Sequence, residues 1–388
     1  MHRFGLLPKI AAAIVLGILF GSFAPQWFIK LFVTFNGLFG NFLSFAIPLI
    51  IIGFIAPGIG TMGKGAGKLL GLTTGLAYLS TAIAGLLAFF AASLLYPVIL
   101  ENQAAQAFEN PEEALLTGFF TVEMDPVMGV MTALILAFTL GVGMAAVKGN
   151  ALQKVMDDFR GIIELVIEKI IIPLLPIHIL GIFANMTQGG QVSAIMSVFA
   201  KVFIMIIILH LLYLLFQYSV AGSLKKQNPI TMLRIMMPAY FTALGTQSSA
   251  STIPVTLAQS KKNGSSDRIA DFSIPLLATI HLSGSTITLV SCAMAVMLLQ
   301  GDTYTISMFF PFILMLGITM IAAPGVPGGA VMAALGLLET MLGFNGTMVS
   351  LMIALYLAQD SFGTACNVTG DGAITSVVDS LTNKQELR

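Results

Sequence analysis

The stretch DSFGTACNVTGD, residues 360–371, lies between GTMVSLMIALYLAQ (346–359) and GAITSVV (372–378), where nearly every neighbour is apolar. It places two carboxylates, an asparagine and three hydroxyls inside what otherwise reads as a membrane helix. One helical turn takes about 3.6 residues. Asp360, Thr364, Asn367 and Asp371 are spaced by 4, 3 and 4, so they form one polar stripe. Ionisable groups at membrane depth are costly, and such a stripe marks a functional site by default.

Composition explains why the surroundings are apolar. Of 388 residues, 57% are hydrophobic and 9% are charged, with a mean hydropathy of +0.94. Soluble domains carry about 25% charged residues. The apolar runs are long and lack the alternation of a lipid-facing strand, so the chain reads as an all-α polytopic membrane protein. The net charge is zero and there is no basic patch, which argues against a nucleic-acid partner. Cys292 and Cys366 fall in apolar segments and read as buried, unpaired residues. The N-terminal run MHRFGLLPKIAAAIVLGILFGSFAP lacks a clear cleavage site and reads as the first span.

Apolar segments fall at 8–25, 33–60, 69–100, 127–147, 161–187, 192–220, 269–299, 307–338 and 346–380. Two regions are interrupted. Residues 228–264 carry TQSSAST (246–252) and Pro254, and residues 308–343 carry APGVPGG (323–329). Proline removes a backbone donor and glycine loosens the chain, so neither region reads as one smooth helix. Basic residues cluster in alternate loops: Lys64 and Lys68, then Lys148, Lys154 and Arg160, then Lys225 and Lys226, then Lys261, Lys262 and Arg268. The loop between spans three and four is acidic, with Glu101, Glu109, Glu112, Glu113, Glu123 and Asp125. The positive-inside rule then puts both termini in the cytoplasm of a plasma (inner) membrane protein. An even number of crossings follows: eight transmembrane helices plus two re-entrant helical hairpins, at 228–262 and 306–343. Hairpins entering from opposite faces are the mark of inverted repeats, with their tips meeting near the midplane.

Four places bear polar groups in apolar surroundings: TQSSAST, HLSGST (281–286), APGVPGG and the opening stripe. A sodium ion favours carboxylate, amide and backbone oxygens, and Asp371 with Asn367 offers such a set. Broken helices supply free N–H groups for a carboxylate and free carbonyls for a cation. A substrate bearing both an ammonium and a carboxylate would use all of this. His178 and His210 read as packing or interhelical hydrogen-bonding residues, whereas His281 shares its span with Ser283 and Ser285. No HExxH, GxSxG, Walker A or CxxC motif is present, so an enzymatic reading has no support. A channel-like or non-transporting protein of the same fold is the other class; accumulation of substrate against its gradient separates the two.

Taken together, these places resemble the dicarboxylate/amino acid:cation symporter family, the glutamate transporter homologues. The resemblance rests on SSASTIPVT (248–256), HLSGS (281–285), GVPG (325–328), and Asp360 followed by Gly363-Thr364 and NVTGD (367–371). It implies a homotrimer of elevator-type symporters coupled to Na+ or H+. Each protomer would have scaffold parts at 1–68 and 101–190 and transport parts at 69–100 and 191–388. It implies substrate contacts at Ser248, Ser249, Val326, Pro327, Asp360, Thr364 and Asn367. Cation contacts would come from Asn367 and Asp371, and from Thr279, Ala322 and Gly325.

The departures are informative. Gly363 stands where the family has the arginine that pairs with an acidic side chain, and Gln247 stands where some members place it instead. A buried side-chain carboxylate would lack its bidentate partner. A small neutral amino acid, serine-, threonine- or alanine-like, is therefore the expected cargo. An acidic amino acid or dicarboxylate is the alternative. His281 and Ser283 replace an asparagine and an aspartate of the family's sodium sites, which makes both coupling candidates. It also opens proton coupling, since histidine titrates near physiological pH.

Overall fold

The computed structural model describes residues 6–63, 68–100, 115–190, 192–320, 323 and 328–386. Every regular element among them is a helix. In lipid only helices and closed barrels satisfy all backbone groups internally. The helices are α1 (Leu6–Phe23), α2 (Gln26–Gly63), α3 (Lys68–Ile99), α4 (Val130–Ala146) and α5 (Ala151–Val166). A π-helical turn (Ile167–Ile171) joins α5 to α6 (Ile172–Gln188), which is followed by α7 (Val192–Lys225). Then come α8 (Pro229–Thr246), α9 (Ser249–Lys262), α10 (Asp267–Ile280), α11 (Ser283–Leu299) and α12 (Ile306–Met320). The last three are α13 (Gly329–Leu342), α14 (Gly346–Leu357) and α15 (Asp360–Glu386).

Five helical stretches are long and apolar enough to cross a membrane: 26–60, 69–99, 151–188, 195–225 and 267–299. A sixth is a bent pair, α14 and α15, which meet at 60°. The protein is thus an all-helical, polytopic membrane protein. The expected spans 8–25 and 127–147 correspond to shorter apolar helices, α1 and α4. At a rise of about 1.5 Å per residue, the 17 residues of α4 fall short of a hydrocarbon core about 30 Å thick.

One correction concerns continuity: the segment 346–380 reads as one span, yet the helix breaks at Ala358–Gln359, immediately before the polar stripe, and the two parts meet at 60°. The segment 269–299 falls within one span, 267–299, inside which the helix is interrupted at His281–Leu282, where the backbone is extended (φ −108°, ψ 96° at His281). Polar residues mark both places, HLSGST at the first and Gln359-Asp360 at the second, but the partner that takes the freed N–H groups of the first, Asn367, lies far away in sequence.

The interrupted region at 228–264 forms two helices, α8 and α9, packed against each other. Asn228 caps α8 by accepting from the Ile230 and Thr231 N–H groups at 2.8 and 3.3 Å, and Pro229 occupies the first turn, where its missing donor is harmless. The helix ends at Gln247, which adopts a left-handed conformation (φ +54°), and Ser248 caps α9 through the Ser251 N–H at 3.3 Å. Helices α12 and α13 likewise pack as a pair. The tip between them carries Ala322, Gly325, Val326 and Pro327, which lie outside the described residues, as does the acidic run 101–113.

Two groups of helices emerge. Helix α15 is the hub of one, packing on α3, α7, α8, α9, α10 and α11. Helices α1, α2, α4, α5 and α6 form the other, with α2 on α4 and α1 on α6 as its main seams. The groups meet where α13 packs on α2 and α4, and α14 on α6 and α1. The α1–α6 seam depends on glycine: a Cβ at Gly21 would lie 2.5 Å from both the Ala184 carbonyl oxygen and the Thr187 Cβ. Close backbone approach through small residues is how membrane helices associate. We expect Gly21→Val to lower the thermal unfolding midpoint, on the scale of ~1–3 kcal/mol for overpacking. Gly75→Ala, where an added Cβ meets nothing within 4 Å, should leave the midpoint unchanged or slightly raised. Equal midpoints for the two variants would show that the seam is not tightly packed.

Candidate functional site

The α10–α11 break frees backbone N–H groups at the start of α11, deep inside the protein. Asn367 of α15 meets them. Its Oδ1 accepts from the Gly284 and Ser285 N–H groups at 2.8 and 3.2 Å, and its Nδ2 donates to Ser285 Oγ at 2.9 Å. One side chain therefore satisfies both donors and fixes the break against α15.

Asp360 opens α15 and is 6% exposed. Its Oδ2 accepts from the Gly328 N–H at 2.7 Å, at the foot of the second hairpin's returning helix. Gly328 has φ +75°, and a Cβ there would sit 2.8 Å from Leu357 Cδ2. Glycine is needed on both counts. Thr364, one turn on, shares a small polar pocket with Asp360 and Asn367. The pocket's other walls are Gln247 and Ser249 from the first hairpin, Thr279 and Ser285 on either side of the α10–α11 break, and Ala323 and Ala330 beside the second hairpin. Its volume is about 30 Å3, room for no more than one or two waters. A molecule the size of an amino acid does not fit this volume. No lysine or arginine lines it among the described residues.

The four stripe residues thus share α15. Asp360, Thr364, Asn367, Ser249 and Thr279 gather at the pocket, whereas Ser248 serves as the α9 cap beside it. Thr279 is exposed and its hydroxyl donates to the Leu276 carbonyl at 2.7 Å. Asp371 lies deeper, 1% exposed, with Oδ1 2.9 Å from His281 Nδ1. The two oxygens that the sequence assigns to a cation, Asn367 Oδ1 and Asp371 Oδ1, are therefore both engaged by protein groups in this conformer. Ser283 is fully buried, and its hydroxyl has no partner among the described residues.

The far side of the His281 ring meets residues that the sequence reading did not single out. His281 Nε2 lies 3.0 Å from Ser80 Oγ of α3 and 3.3 Å from Gln217 Nε2 of α7, and Tyr213 also bonds Ser80. Gln217 and Ser80 are isolated polar residues in apolar helices, a signal that was present but unspecific. His210 Nε2 lies 3.0 Å from the Gly284 carbonyl and 3.2 Å from Thr288 Oγ1, an interhelical contact on the same broken span.

Asn367→Leu leaves two buried donors unpaired, each costing about 1–3 kcal/mol. We expect a marked fall in thermal midpoint and loss of ligand binding. Thr369, on the same helix, has a buried hydroxyl without a partner among the described residues, so Thr369→Val should leave the midpoint unchanged or raised. Similar midpoints for the two variants would show that the Asn367 bonds do not hold the break.

The family profile described as the sodium:dicarboxylate symporter family matches residues 6–381, nearly the whole chain. The match spans both groups of helices and all the breaks around which the pocket is built. The chain belongs to the sodium:dicarboxylate symporter family, as a multi-pass, cation-coupled secondary transporter and not an enzyme.

Proposed function

We propose that the protein takes up a small neutral amino acid, serine-, threonine- or alanine-like, by cation-coupled symport. The observation that carries this reading is the pocket itself: a buried carboxylate, Asp360, faces it together with hydroxyls and an amide, and no cationic side chain lines it among the described residues. Asp360 receives the substrate ammonium. The substrate carboxylate is received at the start of α9, where Ser249 adds a hydroxyl to backbone N–H groups carrying the positive end of the helix dipole. Thr364 and Asn367 fix the orientation. A second, side-chain carboxylate would enter without a charge partner, and burying it so is expensive.

Eight spans with two re-entrant hairpins, α8–α9 and α12–α13, in an inverted repeat account for the two helix pairs, the two broken spans and the charge pattern. Both termini are then cytoplasmic in an inner membrane. Residues 1–68 and 101–190 form the scaffold of a homotrimer, and 69–100 with 191–388 the moving part. Helix packing supports this division. The second hairpin's α13 rests on α2 and α4, whereas α8 and α9 pack chiefly on α7, α10 and α15 and leave the first group of helices largely untouched. In an elevator cycle this is the conformer whose first hairpin faces the cytoplasm. The second hairpin shuts on Asp360 through the Gly328 N–H, and substrate entry from outside displaces that contact.

Two observations favour other readings. The family's description names dicarboxylates, which taken alone supports an acidic or dicarboxylate cargo over a neutral one. The contact between His281 and Asp371 supports a proton in place of, or beside, sodium.

Radiolabelled serine, threonine, alanine, glutamate and aspartate, presented to proteoliposomes under an inward sodium gradient and then an inward proton gradient, separate these readings. Neutral cargo should accumulate, and Asp360→Asn should lower its uptake at least about tenfold, the scale of one charge-assisted hydrogen bond. Dominant glutamate uptake would overturn the neutral assignment. If His281→Gln leaves the pH dependence of uptake unchanged, the proton role fails.

A further inference from the structure

A second cavity, larger than the pocket on α15, lies away from it. A space of about 680 Å3 opens between the two groups of helices, within the roughly 300–1,000 Å3 typical of small-molecule sites. One wall is α2 and α6, the other is the end of α13 and the start of α14, and residues 115–121 cover it. Glycine keeps it open. A Cβ at Gly37 or Gly40 of α2, or at Gly346 of α14, would meet nothing within 4 Å.

Several of the polar side chains on its walls are paired with one another or with backbone. His178 Nδ1 lies 3.1 Å from Asn36 Oδ1, and its Nε2 lies 3.2 Å from Ser350 Oγ, so the imidazole ties α2, α6 and α14 together. Asn185 exchanges hydrogen bonds with the backbone of Leu116 in both directions, at 2.9 and 3.2 Å. Glu339 is the one charged residue on the lining among the described residues, is only partly exposed, and has no ion pair or hydrogen bond among them. Leu43, Ile47, Ile182 and Val349 line the same cavity.

We propose that this cavity is a binding site for an amphipathic organic ammonium, its charged head on Glu339 and its apolar body along α2 and α6. A half-buried, unpaired carboxylate favours a cation. A metal ion would need more oxygen or nitrogen donors than one carboxylate offers, and no group of three or more His, Cys, Asp or Glu occurs among the described residues. The lining joins apolar surface to hydroxyls and amides, which suits a cation carrying hydrocarbon. Such a ligand touches both groups of helices at once, so it would hold their present arrangement. The site itself does not depend on the transport reading; only that last effect does.

The test uses the full-length protein in zwitterionic nanodiscs, with 4-phenylbutylamine and its uncharged counterpart 4-phenyl-1-butanol as probes, and thermal unfolding as readout. The amine should stabilise the wild type saturably, at concentrations at least tenfold lower than the alcohol. Glu339→Gln should abolish that preference. Gly40→Leu, which fills the cavity and favours the helix, should weaken both probes tenfold or more. Equal effects of amine and alcohol on the wild type would overturn the proposal, as would an unchanged amine response in either variant. Uptake measured beside binding keeps the two readings apart: binding without inhibition sinks the arrested-conformer reading and leaves the site standing.

Discussion

A helix broken inside a membrane protein leaves backbone donors and acceptors that neither lipid nor the helix itself can satisfy. The rest of this structure is arranged around that constraint. At the α10–α11 break the donors are taken by Asn367. At the foot of the second hairpin the Gly328 N–H is taken by Asp360. At the first hairpin Ser248 takes one from α9. These acceptors cluster on or beside α15, which is why that helix is polar along one face and why it is the hub of its group. The pocket is the place where broken ends from three directions converge on one intact helix.

This explains what the sequence discloses and what it hides. The stripe at Asp360, Thr364, Asn367 and Asp371 is visible because helical period and polar spacing coincide over a single continuous helix. The interruption between α8 and α9 is visible because it carries its own chemistry, the run of serines whose Ser248 caps α9. The breaks at His281–Leu282 and Ala358–Gln359 carry polar residues but neither proline nor glycine at the break itself, and the group that satisfies the first of them lies more than 80 residues away on α15. Local pattern cannot report a partner at that separation, so the polar places are legible and the interruptions of the helix are not.

The same reasoning covers the residues behind His281. Ser80, Tyr213 and Gln217 come from α3 and α7, and nothing in either helix's own sequence says that their polar atoms meet. Interhelical hydrogen bonds in bundles are individually modest, and a lone glutamine in an apolar helix has many possible uses. Only the packing of α3 and α7 around α11 and α15 brings these groups to one ring.

The packing around that ring is close. A Cβ at Gly370 would lie 2.7 Å from Gln217 Oε1 and 3.0 Å from His281 Cε1. Helix α15 is thus cut back at the position next to Asp371, and the imidazole and the Gln217 amide fill the space. With His281 Nδ1 on one oxygen of Asp371, an ion approaching that carboxylate has to displace the ring or use the other oxygen. Displacing the ring also disturbs Ser80 and Gln217, and with them the contacts of α3 and α7. His281 is in addition the residue at which α10 ends. The group that meets the buried carboxylate and the point at which the helix breaks are one and the same, so Asp371, the break and, through Asn367, the pocket are joined by one continuous set of contacts.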